Sequence, residues 1–537
     1  MAKRFIIRLL ILGTTLSHAQ VSDGNNLFTD RDIYASGENV WFKVFLSGTE
    51  QSGFIHTDLI SNLGIRISGV TTVITEHQSD GTIYLPDSIS SGSYLVRVST
   101  RTGKKLIFKE IFVVNRFNGI SGLSDYSRPG SMVPIVNTQI DTLPIYGIEQ
   151  KYKTRTKGHL TIRLPDEFLS RIDGNLIISI ADNTLQYNAR AFEFETRPTV
   201  PHITEKEGII LEGMVTDLAT GHPFEQAIVY LSILDSIPGF NYYITRKDGR
   251  FFFELKNLFG KVPAVVQCFD KKENRPLKIT IFDPENSRKE LPSFKAMLLP
   301  AELSESIDEI CEVVNMRKVF NQQEFTSLPV PRPVADAHPF YSVPTKSIDL
   351  QLFIDLPDFS EISRELLSGV KYRIRDQIAT LQVYDPYLYE FFSEPPLLLL
   401  DGIPILDPVF IQNMGSKEID RVEVCQIERF YGDLKFQGIV AIHSSKNKYS
   451  RLPESDNFIR LELNAIQIPL TLCSPSEQSF NEPDLRQLLL WEPSVKPEHS
   501  ITFDFLTSDV RGRYKLVIRG KEKDHSFFYQ EHIFEIE

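Results

Sequence analysis

The sequence predicts a mainly β protein, a string of β-sandwiches joined to one α/β domain. Three observations predict it. Aromatic and β-branched residues recur in short alternating runs, and the 537 residues include 37 Phe and 19 Tyr. The 31 Pro and 29 Gly punctuate those runs, as turns between short strands require. Two stretches, 304–322 and one beginning at Asp358, carry helical periodicity instead. The composition is that of a soluble globular chain, 42% hydrophobic and 24% charged, and at about 150 residues per domain the length suggests several domains. A net charge of −12 argues against nucleic-acid binding and against a polybasic membrane dock.

Residues 1–19 read as a signal peptide. Lys3, Arg4 and Arg8 precede or interrupt the apolar run Phe5 to Leu12, and Ser17-His18-Ala19 is a small-residue cleavage site. The run is too short to span a bilayer, and no later stretch reaches 18 apolar residues. No Cys stands at the cleavage point, so no lipid anchor is expected there. The four cysteines, Cys268, Cys311, Cys425 and Cys473, are too far apart for a zinc knuckle. Three pairings of the four are possible, and the sequence does not choose among them; Cys268 and Cys425 sit in apolar runs, where Cys acts as a small hydrophobe, which favours four free thiols.

Residues 25–115 read as a first sandwich. Thr29-Asp30-Arg31-Asp32-Ile33-Tyr34, Gly37-Glu38 and Val40-Trp41-Phe42-Lys43-Val44-Phe45 give a turn feeding a strand. Further on, Tyr94, Val96 and Val98 follow Gly92 in alternation. This pattern resembles the second domain of α2-macroglobulins, departing from it at Asp32 and Ser36, where that family usually has Pro. Residues 145–200 read as a second macroglobulin-like sandwich, with Leu160, Ile162 and Leu164 alternating and Leu176 to Ala181 as a buried strand. In 207–285, Thr220-Gly221 and Asp248-Gly249 are expected hairpin turns, where Gly tolerates positive φ. The segment resembles the carboxypeptidase regulatory-like domain, a non-catalytic accessory in that family.

Residues 300–335 read as a helix and a Pro-rich linker. Ser306 and Glu309 fit a capping box, Ile307, Cys311 and Val314 share a face, and Pro329, Pro331 and Pro333 follow. The second helix starts at Asp358, with Phe359, Ile362 and Leu366 as its core stripe. Residues 340–445 then carry Pro396 to Asp401-Gly402-Ile403-Pro404, Ile419-Asp420-Arg421-Val422-Glu423-Val424, Tyr431-Gly432 and Gly438-Ile439-Val440-Ala441-Ile442. In this order the motifs resemble the plug domain of TonB-dependent outer-membrane receptors. Only 92 residues follow Ser445, too few for a receptor barrel. Residues 450–537 form a last β domain, in which Pro483 to Pro493 and Asp509 to Gly520 resemble late macroglobulin-domain sequence.

The chain lacks the macroglobulin thioester sequence, a G-x-S-x-G elbow (Gly119 to Leu123 fails at its last position), HExxH, a P-loop and GxGxxG. Asp23-Gly24-Asn25 hints at a calcium loop, but Tyr34 stands where Glu would be needed. No catalytic, cofactor-binding or metal-binding residue is therefore expected, and no cofactor. Asp401-Gly402 reads as a tight turn, the aromatic runs Phe251 to Phe253 and Phe391-Phe392 as core, and Leu328 to Pro333 as a spacer. A plug without a barrel should turn an exposed surface to another chain, and Pro404, Leu406, Pro408 and Phe410, with Phe430 and Tyr431 at Gly432, are the candidate partner-binding residues; the alternative is that Phe410 and Tyr431 fold back onto the domain's own sheet. The architecture resembles a group of exported Bacteroidota proteins. It implies a non-enzymatic periplasmic adaptor or gate, associated with the outer membrane, whose partner is an outer-membrane β-barrel channel or secretion translocon. The alternative is a macroglobulin-like protease-binding or carbohydrate-associated protein.

Overall fold

The computed structural model describes residues 26–46, 52–102, 105–118, 142–186, 191–195, 203–234, 239–270, 272–283, 304–330, 338–445, 448–473 and 482–537. The expected signal peptide, Asp23-Gly24-Asn25, Gly119 to Leu123, Pro331 and Pro333 lie outside the described residues. The fold is mainly β, as the sequence predicts. Two compact units divide the chain. One comprises Met1–Thr204, Pro284–Leu328 and Pro469–Glu537, the other Glu205–Asp283 and Pro329–Ile468.

In the first unit, strands Leu27–Thr29, Asn39–Phe45 and Gln78–Tyr84 make one sheet of the opening sandwich. Phe54–Ser61, Arg66–Val73, Gly92–Ser99, Lys105–Val114 and Ala191–Glu195 make the other. The period of two decides where side chains go. Val40, Phe42 and Val44 enter the sandwich core against Leu59, Val96 and Val98. Trp41 and Phe45 point the other way and pack on Ile177, Leu488 and Trp491.

The Thr29 to Glu38 motif folds into a buried ionic corner. Asp30 accepts hydrogen bonds from Trp41 N (2.9 Å), Tyr34 Oη (2.8 Å) and Arg31 Nε (2.9 Å). Glu38 accepts from Ala35 N at 2.7 Å and from Arg31 and Arg317 at 3.2 Å each. Gly37 has φ +85, and a Cβ there would stand 2.5 Å from Asp87 Oδ1. Arg317 belongs to helix Ser304–Val319, whose Ile307, Ile310, Cys311 and Val314 bury against Ile33, Ala35, Phe112 and Val114.

The sequence placed 145–200 and 450–537 in separate domains; the structure weaves them together. Ile172–Asp182 pairs antiparallel with Leu488–Val495 on one side and Gly512–Glu522 on the other. Lys157–Arg163 pairs with Ser500–Leu506 in the facing sheet. The early strands bury one face each and lack the neighbours to close a sandwich, so the last strands of the chain supply them. Residues 458–464 go elsewhere again: Phe458–Asn464 pairs with Lys261–Phe269 in the second unit.

That second unit begins with a small sandwich of sheets Ile209–Asp217, Arg250–Leu255, Leu277–Phe282 and Ile228–Ile233, Gly239–Ile244, Lys261–Phe269. Thr220-Gly221 closes a short hairpin, with Asp217 N donating to His222 O at 2.9 Å and Phe224 N to Val215 O at 3.0 Å. Asp248-Gly249 differs from the expected hairpin, because it carries the chain from one sheet to the other. Gly249 has φ +67 and lies so near Val215 O that a Cβ would approach to 2.4 Å.

The unit continues with a mixed sheet in the order Lys346–Asp349, Ile419–Tyr431, Leu434–Ser444, Leu397–Leu400, Ile403–Pro404. Leu397–Leu400 runs parallel to Leu434–Ser444, Leu397 opposite Ile439 and Leu400 opposite Ile442. Asp401 (φ +50) and Gly402 (φ +84) make the tight turn that follows. Helix Phe359–Glu365 covers this sheet, capped by Asp358, whose carboxylate accepts from Glu361 N at 2.9 Å. All four cysteines are free.

Candidate interaction surface

A three-stranded sheet, Val370–Arg375, Ile378–Asp385 and Glu390–Phe391, lies on the second unit's main core. Alternation buries Val370, Tyr372, Leu381 and Val383 and turns Lys371, Arg373, Arg375, Ile378 and Thr380 outward. The turn after Asp385 is tightly built. The buried Asp385 carboxylate accepts from Tyr387 N (2.8 Å) and Leu388 N (3.2 Å), while its carbonyl accepts from Tyr389 N (3.0 Å). Tyr389 is held at φ +60, a conformation that costs a bulky residue about 1 kcal/mol or more. This turn leaves Tyr387 77%, Leu388 65% and Tyr389 80% exposed. Three consecutive large apolar side chains are thus held in water by a hydrogen-bonded, strained backbone.

A second apolar exposure occurs in the same unit. Asp349 caps the short 3-10 turn Leu350–Leu352 by accepting from Gln351 N at 3.0 Å, and Leu352 at its end, with Phe353 and Ile354 after it, is exposed.

The residues expected from sequence to bind a partner divide. Leu406 and Phe430 are exposed. Pro404 is buried in its strand opposite Leu399. Phe410, in the 3-10 turn Pro408–Ile411, packs half-buried on the core. Tyr431 also folds back: its hydroxyl donates to Phe240 O at 2.8 Å, and its ring meets Phe340 at 5.3 Å. Tyr431 packs because the sandwich strand Gly239–Ile244 covers its side of the sheet, whereas Phe410 packs on the main core. Sequence reasoning passed over Tyr387 to Tyr389, although the Asp385-Pro386 pair before them is a turn signal.

Where those two layers meet, a small cleft is lined by Phe240, Phe340, Tyr341, Leu399, Ala441 and His443. Beside it lies buried Glu423. Tyr341 Oη donates to Glu423 Oε2 at 2.6 Å, His443 Nε2 is 3.2 Å from the same oxygen, and Arg421 Nε is 3.1 Å from Oε1. His443 first, then Tyr341 and Arg421, hold the carboxyl at about 2, against the burial that would raise it. Its oxygens are engaged, so Glu423 anchors Tyr341 to the sheet rather than offering a free base. Among the described residues, no three His, Cys, Asp or Glu side chains gather as metal ligands.

No family model and no curated protein matches the chain. Among solved structures it is similar to bacterial α2-macroglobulins. Native Escherichia coli α2-macroglobulin is 9% identical over 96% of this chain and 40% of that one, with a TM-score of 0.23. The trypsin-activated E. coli protein is 9% identical over 95% and 41%, with a TM-score of 0.22. Salmonella α2-macroglobulin reacted with methylamine is 10% identical over 96% and 24%, with a TM-score of 0.16. The chain thus spans less than half the length of these proteins. Overlaps of this size fix no residue correspondence, and the functional reading rests on the chain's own geometry.

Proposed function

We propose that this chain is a non-enzymatic binding protein, exported to the periplasm, that engages an outer-membrane channel or translocon through its mixed-sheet domain. The observation that carries the reading is the Asp385-anchored turn presenting Tyr387, Leu388 and Tyr389 to solvent. Tyrosine supplies large contact area at low entropic cost, and interface anchors are enriched in it. A strained backbone that holds such side chains in water is best explained by what they touch. The plug-like motifs of 340–445 support a partner in the outer membrane, and the net charge of −12 speaks against nucleic acid.

The test is Tyr387→Ser/Leu388→Ser/Tyr389→Ser in the full chain, purified from envelope fractions with mass spectrometry of co-purifying barrel proteins. The variant should lose its barrel partner while its melting temperature stays within a few degrees of wild type. Retention of the partner at wild-type yield would refute the reading.

A further inference from the structure

We infer that the outward face of the three-stranded sheet, beside the tyrosine-bearing turn, binds an extended acidic segment of a protein partner; the inference rests on the function proposed above and specifies its ligand. Lys371, Arg373 and Arg375 alternate along one strand and so share one face, about 7 Å apart. Their cross-strand neighbours are Gln382, Thr380 and Ile378, none of which carries a charge. Arg373 and Arg375 are exposed and make no ion pair among the described residues. Lys371 Nζ lies 5.2 Å from the centre of the Phe391 ring, and Tyr384 meets that ring edge-on at 5.4 Å.

No carboxylate stands opposite this row of cations, although the chain carries 70 acidic and 58 basic residues. The complement to this row is a strand with carboxylates on alternate residues, because both repeat at the same spacing. The aromatic pair at the end of the row, and the turn beyond it, would meet apolar side chains flanking the acids. A lipid surface would meet isolated cations equally well but has no reason to match their spacing.

The experiment titrates the full chain into a fluorescein-labelled peptide of alternating Asp and Thr and follows anisotropy. Saturable binding is expected, weakened about tenfold or more in Arg373→Glu/Arg375→Glu and weakened by added salt. An alternating Lys-Thr peptide should not bind. The melting temperature should hold, since both arginines are exposed. Wild-type affinity in the double variant, no binding by wild type, or binding to phosphatidylglycerol vesicles without binding to the peptide would each overturn the inference. If that happens while Tyr387→Ser/Leu388→Ser/Tyr389→Ser still loses its barrel partner, the proposed function stands and only the acidic ligand falls.

Discussion

Glu38 and Glu423 are two buried carboxylates kept charged by different means. Glu38 has no exposed surface. Burial would raise its pKa, but Arg31 and then Arg317 outweigh that and hold it below the usual carboxylate range. The corner is not wholly satisfied, since Arg31 Nη1 and Arg317 Nε find no acceptor among the described residues, and such orphans cost free energy. Its value lies in fixing helix Ser304–Val319 on the sandwich. Arg317→Ala should therefore destabilise the first unit by about 3–5 kcal/mol, as removal of one partner from a buried pair does, measured by urea unfolding. For Glu423 the folded-state pKa lies at about 2, below its ordinary 4.5. The stability it contributes is complete above pH 4.5 and is lost as pH falls through 4.5 toward 2. Glu423→Gln should flatten that part of the pH–stability curve, and identical slopes for variant and wild type would show that the carboxylate carries none of it.

At the scale of single elements, the central apolar strand is the most exposed to test. Leu399 is 1% exposed and packs among Tyr230, Cys425 and Ile439. Leu399→Asp places an unpaired charge there and should cost several kcal/mol; a melt within a degree of wild type would place the strand outside the core. The elements legible in the sequence were those whose signal is local. The Leu397–Leu400 run, the Asp358 cap and the positive-φ pair Asp401-Gly402 each announce themselves through neighbours a few residues away. Tyr431 stays ambiguous in the sequence for the opposite reason. Nothing near it in sequence shows that Phe240 and Phe340 fold over it, so a free and a folded-back aromatic read alike. The converse held for Tyr387 to Tyr389, where a buried Asp385 keeps apolar side chains out.

Over the whole molecule, the chain order and the domain order disagree. The sandwich begun by Lys157–Arg163 and Ile172–Asp182 closes only when Leu488–Val495, Ser500–Leu506, Gly512–Glu522 and Phe527–Ile536 arrive. Pairing across so long a separation makes loop closure costly and folding slow. A chain ending at Ile468 should lose the calorimetric transition of the first unit and keep that of the second, whose strands all lie in 205–468. Loss of both transitions would contradict that division.

By itself the sequence determined the mainly β class, the period-two faces of the strands, the Asp401-Gly402 turn and the Asp358 cap, because these depend on backbone sterics and on residues within one turn of each other; the expected Ser306 cap falls inside helix Ser304–Val319 instead. It also supplied the Thr29 to Glu38 motif, though not the reason for it, since Arg317 completes the corner from 279 positions away. Only the tertiary structure decided which strands share a sandwich, which aromatics are covered, and where three cations line up beside three uncovered apolar side chains. Those are questions of long-range pairing, in which any amphipathic strand can serve several partners until packing selects one.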